Sequence, residues 1–235
     1  MDILRDDKGS KSMVEKNRSI IEIINRVIVD TSYVYDSGRL LDKKIGFMVK
    51  NCDKIIDFGK SSRERFDRFE NGQVMTVDIN EYDGYPDVVD DICRITQLPM
   101  GKFDGIICLA VLEHVYNPFL AVDNISGLLK EGGHALLYTP FIWRYHAPKS
   151  LIYQDFFRYT RDGLAYLFRE FSEVTIYPYR GRYSTVLNMF GTWKAKVENR
   201  IGHGLNKIVD RALGRVFGHR RSELQASGYY LWTKK

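Results

Sequence analysis

The spacing of apolar positions changes near residue 50. Before that point, residues 13–30 and 39–50 carry apolar side chains at near-helical spacing, which predicts an amphipathic helix and then a short helix leading into the core. After it, seven short runs are either continuously apolar or alternate between apolar and polar residues, as strands do. These runs lie at 54–59, 74–78, 86–92, 103–112, 134–139, 174–179 and 228–233.

Helical segments separate these predicted strands. A charged helical stretch at 62–69 follows the first strand, Asn117-Pro118 opens a helix that runs through Leu129, and 161–171 has helical spacing. This alternation predicts an α/β fold with a mostly parallel sheet covered by helices on both faces. In such sheets, ligands bind beyond the carboxyl ends of the strands, so the residues that end each strand are the first functional candidates.

The first strand ends in the sequence DFGKSS, residues 57–62. Gly59 lets the backbone turn sharply and approach a ligand closely. A P-loop is excluded, because it would need a glycine where Lys54 stands. A GxGxxG dinucleotide motif is excluded as well, because Ser61 and Glu64 stand at its second and third glycine positions.

Two further acids follow predicted strands. Asp78 comes 19 residues after Gly59, a spacing that fits an acid accepting hydrogen bonds from ribose hydroxyls. Asp91 is placed to meet an adenine amino group, with Ile92 against the ring. A single aspartate at a strand end is more often a turn or helix cap, so the order and spacing of the whole set are what favour a nucleoside site.

The fourth strand and the turn after it resemble a known family. FDGIICLAVLEHVYNP, residues 103–118, strongly resembles the FDxIxxxxVLEHVxxP segment of class I S-adenosylmethionine-dependent methyltransferases. LLKEGGHALL at 128–137 resembles their LLKPGGxLL segment, and GYYLWTKK at the end agrees with their antiparallel last strand. The resemblance is clear over residues 50–140. It implies a Rossmann-like, seven-stranded, mostly parallel sheet with an antiparallel last strand, and S-adenosylmethionine as cofactor with S-adenosylhomocysteine as product.

The resemblance also implies roles for individual residues. The β-strand ends would supply the cofactor site, with the ribose held by Asp78 and the adenine by Asp91 and Ile92. Asp57 and Gly59 would shape the methionine pocket, Leu109 and Ala110 would flank the methionine portion, and Glu113 and His114 would lie near the reacting methyl group. Further candidates for cofactor binding are Phe58, Lys60, Ser61 and Ile79.

The chain departs from the family in its glycine loop. The family usually has DxGxGxG, whereas only Gly59 remains in DFGKSSRE. The departure leaves open a weaker or differently shaped cofactor site, or a catalytically inactive protein that serves as a cofactor-binding scaffold. We expect a working site, because Asp57, Gly59, Asp78 and Asp91 are all present.

A long connection rich in aromatic and charged residues follows the fifth strand, at 141–160. It resembles the P…H…P…D(F/Y)xRxT…GL…LF stretch of methyltransferases from sugar and cell-envelope glycan pathways, which implies O-methylation of a sugar or glycan-linked molecule. A hydroxyl acceptor benefits from a base, and His146 is the first candidate, followed by Asp155 and His114. Tyr145, Arg158 and Tyr159 are candidate acceptor-binding residues.

Several alternatives stay open for this connection. An amine or carboxylate acceptor would need no strong base, and the acceptor could be a metabolite other than a sugar. Asp155, Arg158 and Thr160 could instead form a structural network, with Thr160 capping the helix that begins at Arg161.

Composition narrows the functional classes. Hydrophobic residues make up 44% and charged residues 28%, as in an ordinary globular protein. The cysteines Cys52, Cys93 and Cys108 have no CxxC spacing, which argues against disulfides and a zinc site, and no required metal is predicted. No apolar stretch is long enough to span a membrane and no secretory signal is evident, so a cytoplasmic location is expected.

The formal charge of +5 is concentrated late in the chain. Residues 194–221 are rich in lysine and arginine and lie in an insertion at 181–225, between the last two strands. This insertion could be a lid that receives a phosphorylated acceptor, a peripheral contact with the inner membrane face, a homodimer contact or a solvated helix that covers the sheet. Nucleic acid is a disfavoured partner, because the charge is modest and no base-flipping motif is present.

These observations predict one methyltransferase domain over 1–235. Its parts are a helical N-terminal cap at 1–50, a cofactor-binding half at 51–140, an acceptor-side loop, helix and strand at 141–180, the basic insertion at 181–225 and the last strand at 226–235.

Overall fold

The computed structural model describes residues 13–147, 153–189, 203–218 and 222–235. The strands of this part are β1 (Ile28–Val29), β2 (Ile55–Phe58), β3 (Val74–Asp78), β4 (Val88–Val89), β5 (Phe103–Leu109), β6 (Leu129–Pro140), β7 (Glu173–Tyr179) and β8 (Gly228–Lys234). Its α-helices are α1 (Met13–Arg26), α2 (Ser37–Asn51), α3 (Pro118–Leu128), α4 (Arg161–Leu167), α5 (Arg182–Met189) and α6 (His203–Phe217).

All eight strands form one sheet in the order β1-β7-β8-β6-β5-β2-β3-β4. Neighbouring strands are parallel, except that β8 runs antiparallel to both β6 and β7. The Rossmann-like α/β fold is thereby confirmed, including its antiparallel last strand. The predicted count of seven strands was one too low. The helix predicted over 13–30 ends at Arg26, and the β-branched pair Ile28–Val29 becomes an edge strand beside β7.

The core lies on both faces of the sheet, as the continuously apolar strands predict. Successive side chains of a strand point to opposite faces. Ile55 therefore packs with Ile45 and Met48 of α2, while Ile56 packs with Ile125 of α3 on the other face. Helix-capping side chains fix where two helices begin. Asn117 accepts a hydrogen bond from Leu120 N–H ahead of α3, and Thr160 accepts one from Gly163 N–H ahead of α4, as predicted.

The end of β5 differs from the sequence-based boundary in a way that matters for function. The strand was predicted to reach residue 112 but ends at Leu109, because Ala110 adopts the left-handed conformation with φ of 57°. Residues Leu112–His114 then form a single 3-10 turn. Glu113 and His114 thus lie in this turn at the carboxyl edge of the sheet.

Other boundaries shift by a few residues. The stretch predicted as helical at 62–69 is a 3-10 helix, Arg63–Arg68. The third predicted strand shrinks to β4, β6 begins earlier than residue 134, and α4 ends at Leu167 rather than at residue 171.

The insertion begins directly after β7, at the carboxyl edge of the sheet. Asp210 of α6 is buried and accepts hydrogen bonds from Tyr183 N–H (2.8 Å) and Ser184 N–H (3.2 Å), which fixes α6 against the start of α5. Lys207, Arg211 and Arg215 are exposed on α6, and the other lysines and arginines of the predicted basic segment lie outside the described residues. None of the helices in the described ranges is long and apolar enough to cross a membrane. The suggested phosphorylated acceptor, membrane contact and homodimer contact stay predictions.

Candidate active site

The loop after β2 is built around a buried carboxylate. Asp57 is fully buried, and its oxygens accept hydrogen bonds from Ser61 N–H (2.7 Å), Ser62 N–H (3.0 Å) and the Ser62 hydroxyl (2.5 Å). Burial raises the pKa of Asp57, and these hydrogen bonds oppose the rise. Since its acceptor positions are used inside the loop, Asp57 shapes the loop rather than presenting its carboxylate to a ligand.

The serines of this loop account for its departure from a glycine-rich sequence. The Ser61 hydroxyl donates to the Phe58 carbonyl and accepts from Leu109 N–H at 2.9 Å, which ties the loop to β5. Gly59 has a φ of +71°, and a Cβ atom there would lie 2.9 Å from Val111 Cγ2. The one remaining glycine therefore stands where a side chain would collide, while hydrogen bonds of the serines hold the rest of the turn.

A cavity of about 750 Å³ lies at the carboxyl ends of β2, β3 and β5. Its volume is within the range of pockets that hold cofactor-sized ligands. Most residues predicted to bind the cofactor line it, and His114 joins them. These are Phe58, Gly59, Lys60, Asp78, Ile79, Asp91, Ile92 and Ala110.

The remaining predicted cofactor residues are not part of the cavity wall. Asp57 and Ser61 stand behind the loop, as described above. Leu109 packs against the α2 side of the sheet, and Glu113 lies in a separate polar cluster beside the cavity.

Both acids expected to hold the nucleoside have a tyrosine partner. Tyr85 Oη donates to Asp78 Oδ2 at 3.2 Å, and Tyr116 Oη donates to Asp91 Oδ2 at 2.8 Å. A carboxylate can accept about four hydrogen bonds, so each acid retains acceptor capacity toward the cavity. Lys60 Nζ lies 5.0 Å from the centre of the Tyr85 ring, so these two lining residues contact each other in the cavity wall.

Sequence reasoning missed these aromatic lining residues. Tyr85, Tyr116 and Tyr153 all line the cavity, but none of them lies in a strand or helix. The sequence signal for them is limited to large aromatic residues in the connections between predicted strands and helices.

A polar cluster lies beside the cavity and is reached from it through His114. Glu113 is fully buried, and its Oε1 lies 3.7 Å from His114 Nε2 and 3.6 Å from His146 Nε2. The two imidazole rings are 4.8 Å apart between centroids. All three candidate bases predicted from the sequence, His146, Asp155 and His114, meet in this cluster.

Asp155 and Arg158 support His146 from behind. Asp155 Oδ2 lies 3.2 Å from His146 Nδ1 and accepts a hydrogen bond from the His146 backbone N–H at 3.0 Å. Both Asp155 oxygens also pair with the Arg158 guanidinium. These hydrogen bonds from Arg158 lower the pKa of Asp155 to about 2, whereas the contact of His146 with Glu113, aided by the charge of Asp155, raises the pKa of His146.

The geometry gives Asp155 and Arg158 positioning roles. A carboxylate with so low a pKa and a bidentate guanidinium partner is a poor proton acceptor. Arg158 Nη2 also donates to the Arg144 carbonyl at 3.0 Å, so the arginine joins both segments of the long connection. This agrees with the structural network that the sequence left open as an alternative.

The two tyrosines predicted to bind the acceptor occupy different environments. Tyr145 is exposed, with 66% of its surface accessible, and it does not line the cavity. Tyr159 is buried, and its hydroxyl donates to the Leu112 carbonyl at 2.7 Å. The backbone of Phe156 also donates to the Glu113 carbonyl at 2.8 Å. Tyr159 therefore helps to attach the connection to the turn after β5.

Comparisons with known proteins show the family of this chain and the proteins that share its fold. A family model described as "Methyltransferase domain" matches residues 25–214. Among solved structures, a SAM-dependent methyltransferase from Archaeoglobus fulgidus is 15% identical, with a TM-score of 0.53 over 86% of this chain and 94% of its own. The Haemonchus contortus phosphoethanolamine N-methyltransferase 2, solved with phosphomonomethylethanolamine and S-adenosylhomocysteine, is 14% identical, with a TM-score of 0.50.

The second alignment covers 83% of this chain but only 52% of the Haemonchus protein. At these identities the two structures show a common fold. No curated protein matches the chain.

Proposed function

Since the chain belongs to the methyltransferase-domain family, we propose that it transfers the methyl group of S-adenosylmethionine to a hydroxyl group of a sugar or glycan-linked acceptor. In this reaction the sulfonium S–CH3 bond breaks with its electron pair going to sulfur, and a new O–CH3 bond forms. The hydroxyl proton leaves toward the polar cluster or the solvent. The products are S-adenosylhomocysteine and a methyl ether.

The cavity supports the cofactor part of this proposal. Asp78 would accept hydrogen bonds from the ribose hydroxyls, and Asp91 would meet the adenine amino group with Ile92 against the ring. Gly59 leaves room for the methionine portion beside the loop, and His114 at the far wall lies next to the polar cluster. The methyl group would then face that cluster.

The observation that carries the hydroxyl assignment is the polar cluster itself. A methyl transfer to an amine needs little beyond correct positioning, because the nitrogen lone pair is already nucleophilic. A sugar hydroxyl is a weak nucleophile and gains from a group that weakens its O–H bond. Glu113, His114 and His146 supply three such groups at one point beside the cavity.

A two-stage experiment tests the proposal. The purified protein is first titrated by calorimetry with S-adenosylmethionine and S-adenosylhomocysteine. It is then incubated with radiolabelled S-adenosylmethionine and a panel of sugar nucleotides, glycan intermediates and small amines. We expect micromolar cofactor binding and label in a sugar-containing product, as an ether that resists mild base.

Two results would contradict parts of the proposal. Label transferred to amines alone would replace the hydroxyl assignment by N-methylation, and a His146→Ala variant that retained this activity would agree with that replacement. A folded protein that bound no cofactor would favour the inactive scaffold instead.

A further inference from the structure

Three metal-ligand side chains converge beside the cavity, although the chain has no metal-binding sequence motif. One donor atom each from Glu113, His114 and His146 lies within 4.8 Å of the other two. The separations between Glu113 Oε1 and the two Nε2 atoms, 3.6 and 3.7 Å, exceed hydrogen-bonding distance. They are close to the roughly 3.4 Å between neighbouring ligands of an ion with bonds of 2.0–2.1 Å.

The outer nitrogen of each imidazole is already engaged. His114 Nδ1 lies 2.5 Å from the Gln154 carbonyl oxygen, which can only accept, so Nδ1 must donate. His146 Nδ1 lies 3.2 Å from a carboxylate oxygen of Asp155. With the proton on Nδ1, a neutral imidazole directs the Nε2 lone pair away from these partners. When both rings are neutral, both lone pairs face the Glu113 carboxylate, an arrangement that a positive charge between them, either a proton or a metal ion, relieves.

The buried carboxylate of Glu113 also calls for a positive charge at this point. Its side chain is fully buried, and within the described part of the chain neither of its oxygens has a hydrogen-bond partner. A buried carboxylate without hydrogen bonds is costly, whereas buried charges that coordinate a metal are compensated.

We propose that Glu113, His114 and His146 bind one divalent first-row transition-metal ion, through the Glu113 carboxylate and the Nε2 atoms of both histidines. Two imidazoles and a carboxylate form a donor set suited to Zn²⁺, Mn²⁺, Fe²⁺ or Co²⁺. Asp155 and the Gln154 carbonyl act as the outer partners that orient ligating histidines. The sequence-based expectation of no metal is thereby revised.

Three protein ligands leave coordination positions open on the side of the cavity. An ion with five or six ligands has two or three adjacent open positions, which fit two neighbouring hydroxyl groups of a sugar. This part of the inference rests on the proposed function and narrows its acceptor to a compound with adjacent hydroxyls. One hydroxyl loses its proton to solvent as a metal ligand, and its oxygen then takes the methyl group. His146 serves as a ligand in this arrangement rather than as a free base.

Metal binding can be measured without any methyl transfer. The full chain is stripped with a chelator and titrated with Co²⁺, whose visible absorption reports its ligands, and with Zn²⁺ by calorimetry. We expect one ion per chain. Glu113→Gln and His146→Ala should each weaken binding by about 100-fold or more, and Asp155→Asn, which keeps all three ligands, by about 10- to 100-fold.

A matched histidine provides the control. His134 stacks on Trp232 and follows the start of β6, at the opposite edge of the sheet, so His134→Gln should leave metal affinity unchanged. S-adenosylhomocysteine binding is measured for every variant and reports whether its cavity is still folded.

The outcomes separate the inference from the proposed function. If the chain binds S-adenosylhomocysteine but neither Co²⁺ nor Zn²⁺, the metal site is overturned and the methyltransferase proposal still stands. Metal binding that survives Glu113→Gln places the ion elsewhere and also overturns it. Full methyl transfer by metal-free protein contradicts the role of the ion in activating the acceptor. A change in the Co²⁺ spectrum on adding an acceptor with adjacent hydroxyls, but not its deoxy analogue, supports that role.

Discussion

The cofactor cavity and the polar cluster lie side by side at the carboxyl edge of one sheet, yet they are assembled differently. The cavity takes its acids from strand ends that follow one another along the chain, Asp78 as the last residue of β3 and Asp91 two residues after β4. The cluster joins Glu113, in the turn after β5, to His146 and Asp155 in an irregular connection more than 30 residues later.

The difference lies in what holds each set of side chains. In the cavity, each acid is held by the sheet and by hydrogen bonds to residues of its own side of the wall, so we expect the effect of a change there to stay local. In the cluster, Asp155 holds His146 in place, and Arg158 in turn holds Asp155. The connection that carries these residues is attached by hydrogen bonds to the turn after β5. Changes there should be strongly non-additive.

The largest effect is expected at the cluster. His146→Ala should lower the kcat for methyl transfer by about 10³-fold, because it removes one of the three side chains of the cluster on which activation of the acceptor hydroxyl depends. The affinity for S-adenosylhomocysteine should stay within about twofold, since His146 does not line the cavity. Parallel kinetic and calorimetric measurements check both statements. A large loss of cofactor affinity would show that the two sites are not separable.

Asp78→Ala should give the converse result. It removes a carboxylate expected to accept two ribose hydrogen bonds, so cofactor affinity should fall by about 100-fold in calorimetric titrations. Asp83→Ala removes an exposed carboxylate in the same connection and serves as the control. Equal effects of the two variants would indicate a general electrostatic contribution rather than a ribose contact.

Alanine substitutions at two glycines distinguish the effect of backbone strain from the effect of a side-chain collision in the loop after β2. Gly59 and Gly72 both have positive φ, but only at Gly59 would a Cβ atom meet a neighbour, Val111. Each alanine substitution should lower the free energy of unfolding by about 1 kcal/mol through strain. Gly59→Ala should in addition weaken cofactor binding by about 10-fold, and Gly72→Ala should not. Chemical denaturation and calorimetry measure the two quantities, and matching affinities would argue against a close approach of the loop to the cofactor.

The smallest effect concerns the helix that follows the connection. Thr160→Ala removes the hydroxyl that accepts from Gly163 N–H and should cost about 1 kcal/mol, or roughly 2–4 °C in Tm for a chain of this size. Thr160→Ser keeps the oxygen and should restore most of the loss. Unchanged methyl transfer in both variants would confirm that the cap supports the fold without taking part in the site.

The sequence alone determined the features that depend on local order. The apolar runs predicted all the strands from β2 to β8, because burial on both faces requires continuous apolar residues. The VLEHV segment and its neighbours pointed to the family, and the strand ends and their spacing pointed to Asp78 and Asp91. His146, Asp155 and His114 were predicted as alternative bases, whereas Glu113 was assigned to the cofactor site.

Tertiary structure decided the rest. The strand β1 exists because Ile28 finds an edge beside β7, which no local pattern encodes. The serine hydroxyls of DFGKSS tie the loop to Asp57, to the Phe58 carbonyl and to Leu109 N–H, contacts that are visible only once the loop is folded. The convergence of Glu113, His114 and His146 depends on the left-handed turn at Ala110 and on hydrogen bonds across more than 30 residues. Sequence spacing shows which residues are close along the chain. The distances between the three side chains of such a site are set only when the chain packs into its fold.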